Sequence, residues 1–229
     1  MPIVSNDSAR ARYLQQVYTR LYARFGPQHW WPAKSKFEVA IGAILTQNTA
    51  WSNVEKAIAN LSKKKLLNPL RLYRTKPKVL AGLIRSCGYY NLKSKRIHSF
   101  LSVLFGRFQG SLDLLFSLRL PLLRKTLLEI KGIGPETADS IILYAAAKPR
   151  FVVDAYTRRF LLRHKLIKPG AGYQEIQALF ENNLRRRSRL FNEYHALIVR
   201  LGKEFCRTRP LCNPCPLKKM DKKACKRLF

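Results

Sequence analysis

Apolar residues recur at intervals of three and four along most of the chain, which is the spacing of a helix with one buried face. The first stripe contains Leu14, Val17, Leu21 and Phe25 and stops at Gly26. Similar stripes predict helices over residues 77–84, 97–105, 154–163, 173–184 and 188–203. Sustained alternation of apolar and polar residues, the pattern of a strand, does not occur, so we predict an all-α fold.

Two Ser-x-x-Glu sequences indicate further helix starts. Ser35 precedes Glu38 and Ser52 precedes Glu55, each at the spacing of a capping box. Between the two predicted helices, the polar residues 46–49 (TQNT) predict a break. A surface loop with Gln47 near its centre is therefore expected.

A glycine hairpin separates two apolar stripes at residues 132–134 (GIG). Its glycines permit a tight reversal, and Pro135 suits the first position of the next helix, with Gly134 as its N-cap. Such a hairpin directs unpaired backbone N–H groups outward and can bind an anion. Gly132, Gly134 and the adjacent Lys131 are therefore candidate phosphate contacts, although an ordinary helix-loop-helix corner would have the same pattern.

Charge favours a polyanionic partner. The chain has 44 Lys and Arg against 13 Asp and Glu, a formal net charge of +31, which favours nucleic acid. Hydrophobic residues make up 47%, too many for a disordered chain. Because we find neither a secretory signal nor an apolar run near the roughly 18 residues of a membrane span, we expect a cytoplasmic protein with no membrane partner. We also expect a monomer. In a prokaryote it would be associated with the nucleoid.

Cysteines cluster near the C-terminus at intervals of five, two and nine residues. The cluster consists of Cys206, Cys212, Cys215 and Cys225. Clustered cysteines in a cytosolic protein favour a metal site over disulfides, and structural zinc suits four of them. The long last interval is basic and contains Lys218 and Lys219, which are candidate DNA contacts.

The hairpin, residues 151–154 (FVVD) and the cysteine loop together resemble the endonuclease III superfamily of helix-hairpin-helix, Gly-Pro-Asp DNA glycosylases. The resemblance runs from about Phe37 to the last cysteine. It implies one helical lobe over residues 28–148 and a second over 1–27 plus 149–229, with the active site in the cleft between them. It also implies double-stranded DNA with a damaged base as partner and a [4Fe-4S] cluster on the four cysteines, for which zinc is the alternative.

Asp154 matches the catalytic carboxylate of the family. Cleavage of an N-glycosidic bond develops positive charge on the sugar, which a carboxylate can stabilise, or it can activate water. Asp154 also precedes a helical stripe, so it is a natural N-cap, and the two roles are compatible.

Gln47 matches the glutamine that, in related enzymes, enters DNA beside the space left by a flipped nucleotide. Judged by sequence alone, Gln47 is a polar loop residue.

Glu136 departs from the bifunctional family members, which have a lysine nucleophile at this point of the hairpin. A carboxylate cannot form an imine with the sugar aldehyde, so the resemblance implies a monofunctional enzyme. Lys131 is a nearby amine that could substitute, but its position does not match that nucleophile. Acidic residues also favour the first turn of a helix, which would explain Glu136 structurally.

Trp30 and Trp31, with residues 45–49, 88–91 and 131–134, resemble the 3-methyladenine glycosylase branch. An alkylated purine is cationic, and contact with each aromatic face contributes about 0.5–2 kcal/mol to the binding free energy of a cation. Trp30, Trp31 and Glu136 are therefore the predicted substrate pocket, with core packing as the alternative for the tryptophans.

The sequence thus predicts a base-excision-repair DNA glycosylase that flips out and removes alkylated purines such as 3-methyladenine without cutting the strand. Two alternatives stay open. One is an endonuclease III-like glycosylase for oxidised pyrimidines with AP-lyase activity, and the other is a DNA-binding module without catalysis.

Overall fold

A computed structural model describes residues 8–218 together with residues 3 and 220. These residues form twelve α-helices and no strand, which confirms the predicted all-α fold. The helices are α1 (Ala9–Phe25), α2 (Lys36–Leu45), α3 (Trp51–Lys63), α4 (Pro69–Tyr73), α5 (Pro77–Leu83), α6 (Tyr90–Phe108), α7 (Leu112–Ser117), α8 (Leu120–Leu128), α9 (Pro135–Ser140), α10 (Ala155–Arg163), α11 (Tyr173–Asn183) and α12 (Ser188–Glu204). A 3-10 turn (Arg85–Cys87) follows α5, and a π-helical turn (Ile141–Ala145) continues α9.

The chain divides into two compact units. The terminal unit comprises Met1–Trp30 and Pro149–Phe229, and the central unit comprises Trp31–Lys148. Helix α1 and helices α10–α12 therefore belong to the terminal unit, and α2–α9 belong to the central unit. Within the described part of the chain, no helix is both long enough and apolar enough to cross a membrane.

Helix α2 is the buried centre of the central unit. Eight of its ten residues are buried, and it packs against α3, α6, α9 and the π-helical turn. Ser35 caps it as predicted, because the Ser35 hydroxyl accepts a hydrogen bond from Glu38 N at 3.1 Å. The Glu38 carboxylate, however, accepts from Lys34 N at 3.2 Å, so the capping box closes one residue earlier than the sequence predicts.

The second predicted capping box is wrong. Helix α3 begins at Trp51 and has Ala50 at the N-cap position, without a side-chain cap. The Glu55 carboxylate accepts a hydrogen bond from Trp51 Nε1 at 2.8 Å instead. The carboxylate thus fixes an indole ring, and the sequence pattern alone could not distinguish the two partners.

Aromatic packing forms the core of the terminal unit. The fully buried Tyr194 of α12 donates its hydroxyl hydrogen to Leu14 O of α1 at 2.8 Å. The Phe151 ring stacks on Phe180 with centroids 3.8 Å apart and meets Phe191 edge-on at 5.5 Å. This core therefore anchors the extended segment that leads into α10.

Candidate active site

The glycine hairpin lies between α8 and α9. Gly134 is the N-cap of α9 and Pro135 its first residue, as predicted. Gly132 has φ +89°, and a Cβ built on it would lie 2.5 Å from Cγ of Arg96. Both the backbone conformation and the Arg96 side chain thus require glycine at position 132.

Gln47 is hydrogen-bonded to this hairpin. Its amide nitrogen donates to Gly132 O at 3.0 Å and to Thr137 Oγ1 at 2.8 Å. Its amide oxygen accepts a hydrogen bond from Arg96 Nη1. The structure thus places two predicted DNA contacts, Gln47 and Gly132, side by side and adds Arg96 to them.

A buried lysine fixes the turn that carries Gln47. Lys93 is 1% exposed, and its ammonium donates to Leu45 O at 2.9 Å, to Thr49 Oγ1 at 2.6 Å and to Cys87 O at 2.8 Å. Burial lowers the pKa of Lys93 from its ordinary value, although the nearby Cys87 thiol acts in the opposite direction. These contacts match the number of hydrogens on an ammonium group, and they join the turn at 46–49 to the end of the 3-10 turn.

Aromatic rings form a half-buried cluster in the central unit. Trp31 meets Trp51 edge-on with centroids 5.1 Å apart, and it lies 5.2 Å from Tyr144. Gly42 of α2 provides the space, because a Cβ there would lie 3.1 Å from Trp31 Cζ2. The sequence analysis identified Trp31 but missed both of its partners. Tyr144 lies in the π-helical turn, so regular α-helical spacing does not give the direction of its side chain.

Trp30 has different neighbours from Trp31. Trp30 belongs to the terminal unit, where Lys203 Nζ lies 5.7 Å from the centroid of its ring.

Glu136 is exposed in the first turn of α9, and its carbonyl oxygen accepts a hydrogen bond from Ser140 Oγ at 2.7 Å. Lys131, one residue before the hairpin glycines, is also exposed.

Asp154 is the N-cap of α10, as its position in the sequence predicts. Its Oδ1 accepts a hydrogen bond from Thr157 N at 2.7 Å, and its Oδ2 lies 3.6 Å from His195 Nε2. The side chain is 13% exposed. Burial alone would raise the pKa of this carboxyl, but the charge and hydrogen bond of His195 and the hydrogen bonds of Thr157 outweigh burial and lower it. Asp154 is therefore ionised at neutral pH.

Sequence reasoning missed His195. It lies on the buried face of α12, a helix that the sequence places more than thirty residues after Asp154. A single histidine in an apolar stripe does not indicate which carboxylate it faces. Only the packing of α10 against α12 brings the two side chains together.

Arginines of α10 hold the start of the cysteine loop. Arg159 Nε donates to Cys206 O at 2.7 Å, and Arg163 Nη1 donates to Cys206 Sγ at 3.2 Å. Arg163 also donates to the carbonyl oxygens of Arg207 and Thr208 at 2.6 and 2.9 Å. These arginines are therefore structural anchors for the loop.

The described cysteines of the loop fit a thiolate-bound metal in donor type. Burial raises the pKa of the Cys215 thiol, backbone groups of Leu217 and Lys218 lower it, and the neighbouring Cys206 and Cys212 raise it further. Among residues 8–218 and 220, however, no group of three or more His, Cys, Asp or Glu is gathered closely enough to hold a metal ion. Cys225 and Lys219 lie outside the described residues, and Lys218 is exposed.

An all-α chain with a glycine hairpin at one helix N-terminus and a largely buried carboxylate at another agrees with the family resemblance of the sequence. Residues 41–186 match the family model of the HhH-GPD superfamily base excision DNA repair proteins. The chain belongs to this superfamily, and it is a DNA glycosylase.

Individual relatives agree with this assignment. A protein of Methanocaldococcus jannaschii, named provisionally as a DNA repair glycosylase, is 44% identical over 206 residues, 90% of this chain and 94% of the relative. The Helicobacter pylori 3-methyladenine DNA glycosylase bound to 1,N6-ethenoadenine is 30% identical, with a TM-score of 0.72 over 85% of this chain and 97% of that one. A covalent endonuclease III–DNA intermediate has a TM-score of 0.80 over 96% and 99% of the two chains at 20% identity, a likeness in fold.

Proposed function

We propose that this glycosylase removes alkylated purines, such as 3-methyladenine, from double-stranded DNA and leaves the abasic strand uncut. The observation that carries the proposal is the cluster of Trp31, Trp51 and Tyr144. Its rings are partly exposed, and a cationic purine gains about 0.5–2 kcal/mol from each aromatic face that it meets. The 30% identity to a 3-methyladenine glycosylase supports the same substrate class.

One ring of the cluster, that of Trp51, is hydrogen-bonded to a carboxylate. The Glu55 carboxylate accepts the Trp51 indole hydrogen at 2.8 Å, which restricts the ring and places a negative charge at its edge. A purine with a positive charge is favoured beside such a carboxylate, whereas a neutral oxidised pyrimidine gains nothing from it. The site therefore discriminates by charge as well as by stacking.

Asp154 supplies the chemistry in this proposal. When the C1′–N bond of an alkylated purine breaks, its electron pair moves to the base and neutralises the cation, so the base needs little help from an acid. The sugar becomes oxocarbenium-like, and the Asp154 carboxylate stabilises it until water adds at C1′ and releases a proton. Glu136 in the hairpin cannot form an imine, so the strand stays intact.

DNA binding involves the hairpin and the turn beside it. The backbone N–H groups around Gly132 and Gly134 bind a phosphate, with the adjacent Lys131 adding charge. Lys218, on the terminal unit, is a further contact to the DNA backbone. Gln47 leaves its hairpin contacts to fill the gap that base flipping creates. Trp30, whose ring lies beside Lys203, is a further substrate-binding residue and belongs to the terminal unit.

Cys206, Cys212, Cys215 and Cys225 hold a [4Fe-4S] cluster in this proposal, with zinc as the alternative. Four thiolates suit either group. The metal fixes the basic loop and takes no part in base release. Iron, sulfide and zinc analysis of the purified protein decides between the two, since a cluster requires about four iron atoms per chain.

The direct test is chromatography of the bases released from methylated duplex DNA. We expect release of 3-methyladenine, with strand breaks only after alkali. Trp51→Ala should lower the release rate at least tenfold, about the loss of 1.4 kcal/mol of binding to one ring, and the matched Trp51→Phe should keep most of it.

Each alternative has its own result. A folded protein that binds DNA but releases no base from methylated DNA contradicts the proposal. Nicking of thymine-glycol DNA without alkali would support an oxidised-pyrimidine glycosylase with lyase activity. DNA binding without release from either substrate would support a non-catalytic module.

A further inference from the structure

Residues 151–153, which precede Asp154, are extended but have no neighbouring β-strand in the described part of the chain. Phe151, Val152 and Val153 are 0%, 1% and 3% exposed. A buried backbone group without a hydrogen bond destabilises a fold, so these amides and carbonyls need partners. In a sheet, the next strand would provide them.

Side chains of α11 provide three of these partners. Tyr173 Oη accepts a hydrogen bond from Val153 N at 3.3 Å. Gln177 Nε2 donates to Phe151 O at 2.5 Å, and Glu181 Oε1 accepts from Phe151 N at 3.0 Å. We refer to Tyr173, Gln177 and Glu181 as the α11 ladder.

The spacing of the ladder residues along α11 suits hydrogen bonding to an extended chain. Its residues follow one another at i, i+4 and i+8, so they lie on the same face of the helix. Four helical residues rise by about 6 Å. Two extended residues advance by about 6.6 Å. Tyr173 and Gln177 therefore match the two-residue step from Val153 to Phe151, and Glu181, one turn further on, reaches the amide of the same Phe151.

The ladder is itself held rigidly. Gln177 and Glu181 are 2% and 7% exposed. The second Glu181 oxygen accepts a hydrogen bond from Arg150 Nη1 at 3.1 Å, and the ring of Phe151 stacks on Phe180, which lies next to the ladder on α11. Both the backbone and the ring of Phe151 are thus fixed to this helix.

We propose that the α11 ladder positions the catalytic carboxylate. By fixing residues 151–153, the ladder determines the position of Asp154. It thereby also determines the contacts of Asp154 with Thr157 N and His195. The ladder residues act through the backbone and are positioning residues. The inference rests on the proposed function only in assigning Asp154 to catalysis.

The first test measures position and needs no activity. Tyr173→Phe keeps the ring and removes the acceptor of Val153 N, so amide hydrogen exchange at Val153 should become at least tenfold faster. Crystal structures of Tyr173→Phe and Glu181→Leu should show the Asp154 carboxylate displaced from Thr157 N. An unmoved carboxylate in both variants would overturn the inference.

The second test separates chemistry from binding. Under single-turnover conditions, Glu181→Leu should lower the rate of base release at least thirtyfold, while the Kd for DNA containing an abasic-site analogue stays within twofold. Glu181→Gln keeps an acceptor for Phe151 N and should recover most of the rate. Gln177→Met should lose rate, whereas Gln174→Met, a matched change at an exposed site of the same helix, should not.

The results distinguish the two proposals. Equal rates for Gln177→Met and Gln174→Met, or parallel losses in rate and in DNA affinity, would contradict the positioning role. If Glu181→Leu does not fold, Tyr173→Phe decides the matter, with an expected rate loss of about tenfold for a misplaced carboxylate. Failure of the wild type to release any base would refute the proposed function, and the exchange and crystallographic tests of the ladder would still apply.

Discussion

Asp154 and Gln47 are both held by hydrogen bonds, but their surroundings differ. Asp154 is a largely buried N-cap in the terminal unit, facing Thr157 and His195. Gln47 lies half-buried in the turn at 46–49 of the central unit and is hydrogen-bonded to a hairpin whose glycines are exposed. A buried, hydrogen-bonded charge is fixed before substrate arrives, whereas hydrogen bonds at a surface exchange with water or DNA at a small net free energy.

This difference indicates a division of labour. Substitutions around Asp154 should change the rate of chemistry, because its position and charge are set by the interior. Substitutions around Gln47 should change the affinity for DNA, because its partners are those that DNA would replace. The following predictions test that division, beginning with the largest effect.

Asp154→Asn should lower the single-turnover rate of base release about 1,000-fold, because a charge aimed at the developing cation is lost. The Kd for DNA should change by less than threefold, since an Asn N-cap still accepts a hydrogen bond from Thr157 N. Chromatography of released bases and a DNA titration measure the two quantities.

The matched control is Asp139→Asn. Asp139 is fully buried and pairs with Arg124 at 2.8 Å, so the same chemical change should reduce stability and leave the rate of the folded enzyme within a few-fold. A comparable loss of rate in both variants would mean that any buried aspartate matters, and the comparison would fail.

Gly132→Ala should weaken DNA binding about tenfold and reduce the free energy of unfolding by roughly 1–3 kcal/mol. The substitution forces a side chain onto a residue with φ +89° and into the side chain of Arg96. Gly106→Ala is the control, because Gly106 lies outside the hairpin within α6, has no left-handed backbone and has nothing within 4 Å of its added Cβ. Fluorescence titration with labelled duplex and urea unfolding provide the measurements, and equal effects of the two changes would argue against a specific hairpin geometry.

Gln47→Ala should raise the Kd for DNA about fivefold and change stability by less than about 1 kcal/mol, because water can replace its surface hydrogen bonds. Gln16→Ala, at an exposed site of α1, should change neither quantity. A loss of several kcal/mol in Gln47→Ala would show that the Gln47 contacts are structural, and the contrast with Asp154 would disappear.

The smallest effect concerns pH. The pKa of Asp154 in the folded protein lies below its ordinary value of 3.8, so the carboxylate stabilises the fold above that pH. This contribution is lost as the pH falls through the folded-state pKa. The difference in unfolding free energy between wild type and Asp154→Asn should therefore shrink as the pH falls from 5 to 3. Urea unfolding at pH 5 and pH 3 measures it, and a difference that grows between these two values would contradict the lowered pKa.

Features that depend on a few neighbouring residues were predictable. The apolar stripes gave the all-α fold, and the caps at Ser35, Gly134 and Asp154 form within one turn of their helices. The exception was Ser52, where a local pattern predicted a cap but Glu55 found a better partner in the Trp51 indole. Even short-range patterns therefore fail where a neighbouring side chain competes.

The partners of the candidate site were not predictable. Trp51 and Tyr144 join Trp31 from α3 and a π-helical turn, and His195 reaches Asp154 from α12. Each contact spans at least twenty residues of sequence, and each depends on how helices pack and rotate. A stripe of apolar residues specifies that a face is buried, but it does not specify what that face meets.

The sequence by itself determined the class of fold, the strong positive charge, the glycine hairpin and the helix-capping aspartate, because each arises from composition or from contacts within a single turn. Only the tertiary structure decided that Gln47 binds the hairpin, that Lys93 is buried beneath its turn and that α11 holds the chain leading to Asp154. Those arrangements arise because buried polar groups must find hydrogen-bond partners, and the partners available are set by packing between distant parts of the chain.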